Sequence, residues 1–125
     1  MEEKKIINAK SLESFSKKLL LSLNCTKYTA NIVSKHLVDS NLHGVDSHGV
    51  IRLQQYHDQI LSGYFSAHAE PKIIEDNSNV IIVDGRNGFG ITALHEATKI
   101  GVKNTNGKQN ISMIVVKNCA HTGRL

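Results

Sequence analysis

Over the first sixty positions the apolar residues recur at spacings of three and four, and beyond them the pattern changes to short runs of Ile and Val. Leu12, Phe15, Leu19 and Leu23 share one helical face with Lys17 and Lys18 turned away, and Ser11 is placed to cap the start. This predicts a first helix over 11–23. Thr26 opens a second pattern, carried by Ala30, Val33 and Leu37, that ends before Gly44. A third helix is expected over 47–62, through Val50, Leu53, His57, Ile60 and Leu61, stopping at Gly63. Residues 72–75 and 79–84 then read as strands of a β-hairpin, separated by the turn-forming Asp76, Asn77 and Ser78. Gly85, Gly88 and Gly90 predict a tight strand-to-helix turn, and Ala93, Leu94, Ala97 and Gly101 a helix ending between 104 and 107. Residues 111–116 read as a further strand.

The expected order is therefore three helices followed by ββαβ, a mixed α/β fold. At 125 residues and 40% hydrophobic, the chain has enough apolar material for about one domain and too much for a disordered one. No run of about 18 uncharged apolar residues is present, and the cluster Leu19, Leu20, Leu21 is too short for a secretory core, so a cytoplasmic protein with no membrane partner is expected. Cys25 and Cys119 lack CxxC spacing and read as free thiols. Tryptophan is absent and acids are interspersed with the bases, which disfavours nucleic acid as a partner. A net charge of +4 permits an anionic ligand without identifying one. The chain closes on a cluster of Asn, His, Gly and Arg with nothing after it to pack against, and two or three strands make a marginal sheet, so truncation is expected.

The densest polar constellation is Asp46, Ser47, His48 and Arg52, followed by Tyr56. On a continuous helix, His48, Arg52 and Tyr56 stand at i, i+4 and i+8 and share a polar face of roughly 80°, with Val50, Leu53 and Ile60 largely opposite. Ser47 and His48 then sit in a first turn where unpaired N–H groups favour an anion, and Arg52 adds a fork suited to a carboxylate. The same residues serve equally as a helix cap and a solvated charge. His43, Asp46 and His48 match no zinc spacing, so no metal is expected. His121 follows the last strand, the position from which α/β folds commonly deliver a side chain to a ligand. The glycines of 85–90 spell GxxGxG, the reverse of the dinucleotide fingerprint, and read as a turn rather than a phosphate cradle.

Residues 44–53, GVDSHGVIRL, resemble the GVDSHG-x-x-RL motif of the type-2 malate/L-lactate dehydrogenase family. Val83-Asp84-Gly85-x-Asn87-Gly88-x-Gly90 is similar to that family's glycine turn, and Val116-x-Asn118-x-x-His121-x-Gly123 to its strand and histidine segment, in the same order. The resemblance implies a non-Rossmann, NAD(P)-dependent oxidoreductase of 2-hydroxy or 2-oxo carboxylates and relatives such as ureidoglycolate, homodimeric when full length and considerably longer than this chain. It divides the chain into an N-terminal helical segment, 1–66, and the beginning of a cofactor-binding domain, 67–125. It makes Ser47 and His48 a substrate ligand and relay, Arg52 the ligand of the substrate carboxylate and Tyr56 a pocket residue. It makes His121 the acid/base group, lying also against NAD or NADP. His121-Thr122-Gly123-Arg124-Leu125 resembles the H-x-GRL of hydroxycarboxylate dehydrogenases. The rival reading is a small anion-binding or interaction domain without turnover.

Overall fold

Asn8 and Thr26 start the first two helices by accepting N–H groups that have no intrahelical partner. In α1 (Ala9–Ser22) the Asn8 side chain accepts the Ser11 N–H at 3.2 Å, so the cap is Asn8 and Ser11 is the residue it serves. In α2 (Lys27–Leu42) Thr26 Oγ1 accepts the Thr29 N–H at 3.1 Å, as expected. The fold is that of a computed structural model, which describes residues 5–77, 80–105 and 111–125.

The inward side of α1 carries Ser16 and Leu20, both fully buried, while Phe15 of the expected apolar face is 60% exposed. Ser16 can be buried because its hydroxyl donates to Leu12 O at 2.8 Å. The expected helix over 47–62 is broken. Asp46–His48 forms a 3-10 turn, 49–51 bend, and α3 spans Arg52–Leu61. Gly49, at φ −88° and ψ −155°, leaves the helical region there. Asn41 of α2 supplies the replacement bonds: its Oδ1 accepts the Val50 N–H at 2.9 Å and its Nδ2 donates to Asp46 at 2.6 Å.

Strand β1 (Lys72–Asn77) pairs antiparallel with β2 (Val80–Gly88), and β3 (Met113–Cys119) pairs parallel with β2 after the crossover helix α4 (Gly90–Thr105), in the order β1-β2-β3. The ββαβ expectation therefore holds, with three differences of extent. Asp76 and Asn77 are strand residues opposite Ile81 and Val80, because the β pairing extends past them; Ser78 and Asn79 lie outside the described residues. The expected glycine loop is largely strand, since β2 continues to Gly88 through a bulge at Arg86 and Asn87, whose φ values are 51° and 58°. The Arg86 N–H donates to Asp84 Oδ1 at 2.8 Å, a local turn that stabilises this kink and holds the Asp84 carboxyl below the usual range. Finally, β3 runs past 116 to Cys119; the helix end expected up to 107 is described only to Thr105.

Two apolar clusters hold these elements together. Ile81 and Val83 of β2 bury against Ala97 of α4, flanked by Ile114 and Val116 of β3. The larger cluster joins Leu20, Val33, Leu37, Leu53 and Tyr56 of the helices to Phe65, Phe89 and Ile91, so it crosses from the helical segment into the sheet segment. Each such side chain, fully buried, contributes about 1.5–3 kcal/mol. Tyr28 of α2 adds a polar tie by donating to Glu96 of α4. No described helix is long and apolar enough to cross a membrane.

Candidate active site

Local geometry in the 46–52 turn follows from the break in the helix. Ser47 Oγ and His48 Nδ1 share a hydrogen bond of 2.9 Å. Arg52, the first residue of α3, turns back so that its Nε–H donates to Ser47 O at 2.6 Å, while Nη1 donates to Gln55 Oε1 at 2.7 Å. These two bonds fix the plane of a half-buried guanidinium beside the Ser47–His48 pair.

Tyr56 does not lie on a polar face with His48 and Arg52, as a continuous helix would place it. It is 1% exposed, and its ring meets Phe89 edge-on at 5.2 Å and Phe65 at 6.3 Å. The break at 49–51 removes the fixed angle between His48 and α3, whereas Arg52 and Tyr56 remain one turn apart within α3; the face they share is not polar at Tyr56, whose ring packs among Phe65 and Phe89. Only the hydroxyl of Tyr56 reaches the site, where it meets His121 Nδ1 at 2.8 Å. Burial pushes the phenol well above its ordinary pKa, so it stays protonated.

His121 is brought there by the end of β3. The Ala120 N–H donates to Gly88 O at 2.9 Å, and Gly90 lies directly under the carbonyls of Ala120 and His121, where a Cβ would overlap backbone. The imidazole stacks on that of His48 with ring centroids 5.5 Å apart and planes 30° from parallel. Burial, then the charge of Arg52, then His48 and His36, hold its pKa below the usual histidine value. Ser47, His48, Arg52, Tyr56 and His121 therefore meet in one place, although they come from three elements. His48, Arg52 and His121 are each half-buried and the cluster opens to the surface.

A groove of about 1080 Å³ lies elsewhere, between α2, α4 and residues 122–125, with Ile32, His36, Leu94 and Arg124 among its walls. Three contributors are absent from any sequence pattern: Asn41, which ties down the 46–50 turn, and His36 and Asp39, which hold Arg124. No spacing rule connects α2 to positions 123–124, so only the folded chain reveals them. Cys25 is buried, which pushes its thiol up to about 12, and burial also raises that of the half-buried Cys119, so neither is activated as a thiolate. Among the described residues no group of three or more His, Cys, Asp or Glu could hold a metal ion.

A phosphate cradle at the glycine turn would need open space on the Cβ side of its glycines. Gly85 faces Cys119 and Asn118 O, Gly88 faces Ala69 O, and Gly90 faces the 120–121 backbone. Protein atoms already occupy the space these glycines leave, so the turn does not fit a dinucleotide's phosphates. The ring of His121, by contrast, is half-exposed.

The model of the malate/L-lactate dehydrogenase family matches residues 7–125. A malate dehydrogenase of Pyrococcus abyssi is 36% identical over 112 residues, 90% of this chain and 31% of the relative. Hydroxycarboxylate dehydrogenase B of Escherichia coli (strain K12) is 27% identical over 125 residues, 100% of this chain and 34% of the relative. Among solved structures, a malate dehydrogenase from Entamoeba histolytica superposes with a TM-score of 0.91 at 29% identity, over 97% of this chain and 34% of that one. The malate dehydrogenase of Pyrococcus horikoshii gives 0.85 at 30% identity, over 98% and 37%. This chain thus spans about a third of the length of the relatives it matches. With the motif residues gathered at one place and the family model covering nearly every residue, the chain belongs to the malate/L-lactate dehydrogenase family.

Proposed function

We propose that Ser47, His48, Arg52, Tyr56 and His121 form the substrate side of the active site of an NAD(P)-dependent oxidoreductase of a small 2-hydroxy or 2-oxo carboxylate. In this reading, residues 1–66 and 67–125 are the helical segment and the start of the cofactor-binding domain of a protein of its relatives' length. The observation that carries it is the meeting of two stacked imidazoles, a fixed guanidinium and a protonated phenol. The names of the relatives, malate and hydroxycarboxylate dehydrogenases, are in keeping with a carboxylate substrate.

Arg52 holds the carboxylate in two-point contact and so fixes which face of the neighbouring carbon is presented. His121 takes the hydroxyl proton. One hydrogen lies between Tyr56 Oη and His121 Nδ1, and in the tautomer in which the ring carries it Nε2 is the basic nitrogen. The lowered pKa of His121 keeps the ring neutral near pH 7, as a base requires. His48, fixed through Nδ1 by Ser47, bounds the other side of the substrate. NAD or NADP, when bound, supplies the hydride acceptor, and its phosphates are held by residues other than the glycine turn.

The test is Arg52→Ala in a protein of the relatives' length, assayed with malate and related 2-hydroxy acids. Loss of a desolvated charge contact is expected to lower kcat/KM by the equivalent of about 2–4 kcal/mol. An unchanged kcat/KM would remove Arg52 from the site. Anion binding by the Arg52 cluster without any turnover of a 2-hydroxy acid would favour the binding-domain reading instead.

A further inference from the structure

The segment bearing His121 is fastened by α2 as well as by the strand that delivers it. After Ala120 the chain turns toward that helix. Gly123 lies so close to His36 that a Cβ would overlap the imidazole, and its φ of +80° suits glycine. The Arg124 N–H then donates to His36 Nε2 at 2.9 Å, and the Arg124 guanidinium pairs with Asp39 at 2.6 Å. Asn41, on the same helix, holds the turn that carries His48. The two stacked rings thus hang from one helix by separate attachments.

We propose that His36 is a positioning residue for His121: as a neutral ring with Nε2 unprotonated, it fastens residues 123–124 to α2 and so sets the His121 imidazole against Tyr56 and His48. The catalytic consequence rests on the reading of His121 given above; the attachment itself does not. An imidazole nitrogen accepts an N–H only while it carries no proton. Once protonated, His36 Nε2 becomes a donor facing the Arg124 N–H, with a guanidinium beside it, and that bond is lost, leaving the Arg124–Asp39 pair as the tie to α2.

The groups facing His36 are Asp39 from its own helix, which favours protonation, and Arg124 and His48, which oppose it. His121 feels its charge in turn. Lys35, His95 and Lys99 line the same groove. Burial first, and then Arg124, hold the pKa of His36 below the usual value, so that bond is closed at neutral pH and opens only in acid. The positioning of His121 then carries a second acid-side dependence, additional to the titration of His121 itself.

The experiment is NMR of the 125-residue chain with histidine rings and backbone amides labelled, followed from about pH 8 to about pH 5. In the unaltered chain, His36 Nε2 is expected to show the shift of an unprotonated nitrogen, and the Arg124 amide to exchange faster as His36 titrates. His36→Leu fills the space without an acceptor. It is expected to speed Arg124 amide exchange at least about tenfold and to shift the His121 ring nitrogens away from their Tyr56-bonded values. His36→Gln offers a non-titrating acceptor, so it is expected to retain the His121 signals and to abolish the acid step at Arg124. A folded His36→Leu chain with His121 and Arg124 unchanged would overturn the proposal. If that variant does not fold, His36→Gln decides alone: an acid step that persists overturns it, and one that disappears supports it. A residue that merely packed would be replaced equally well by Leu and Gln. No readout involves substrate, so failure of the oxidoreductase reading would leave this result standing, and the converse also holds.

Discussion

The turn at 44–52 and the turn at 85–90 are similar as sequences, each short, rich in glycine and next to polar residues, yet their glycines make room for different things. Gly49 gives way to a side chain, the carboxamide of Asn41, which ties the turn to α2, with Ser47 exposed and His48 and Arg52 half-buried. Gly88 and Gly90 give way to the main chain at Ala69 and at 120–121, and Gly85 to the Cβ of Cys119 and the carbonyl of Asn118. The first turn therefore presents chemical groups, and the second seats the strand end from which His121 projects. A glycine-rich loop binds phosphate only if its open side faces the ligand, so the two uses cannot be told apart by counting glycines.

The sharpest way to break this comparison is Gly90→Ala. Its Cβ would overlap carbonyls that cannot retreat without moving the end of β3, so a loss of about 3 kcal/mol is expected, read as the urea midpoint. Wild-type stability in this variant would show that the seat is not tight. Gly49→Ala meets only the end of a side chain, and the expected cost falls to about 1–2 kcal/mol, for the hydrogen bonds that Asn41 gives up. Combined with Asn41→Ala it should be clearly less than additive. If the two losses simply add, Asn41 and Gly49 do not act as one device. Tyr56→Phe keeps the ring in its aromatic setting and removes only the hydroxyl, so about 1 kcal/mol is expected, together with a shift in the His121 ring signals. An unmoved His121 spectrum would separate the phenol from the site.

The smallest effect expected is that of mild acid. His36, His95 and His121 all have folded-state pKa values below the ordinary histidine value, each chiefly through burial. Below about pH 6.5 the unfolded chain then binds more protons than the folded one. Their contribution is present above that pH and is lost as pH falls toward and through the folded values. The urea midpoint should therefore be lower at about pH 5.5 than at about pH 7.5, and a midpoint that rises on acidification would contradict the burial of these rings.

Much of the fold was legible from local pattern. Helix spacing located α1 and α2, Ile and Val runs located the strands, and the α/β order followed. The reading failed where a distant group substituted for a local one. Residues 47–62 have the periodicity of one helix, but Asn41 takes the Val50 N–H and Gly49 turns the chain. Helical spacing puts Tyr56 one turn from Arg52 but carries no sign that its ring is claimed by the distant Phe65 and Phe89. Three glycines before a helical pattern predict a tight strand-to-helix turn, yet β2 extends to Gly88 by virtue of the Asp84–Arg86 turn and pairing with β3.

From the sequence alone came the family motif, the residue types of the site and the order of the elements, because each of these depends on neighbours within a few positions. The stacking of His48 on His121, the depth of Tyr56 and the attachment of residues 123–124 to His36 needed the folded chain. Those relations join residues 65 to 88 positions apart, through close approaches that depend on how α2, α3 and β3 pack. Local propensity carries no information about such distances, whereas packing, by excluding every arrangement that overlaps, specifies them.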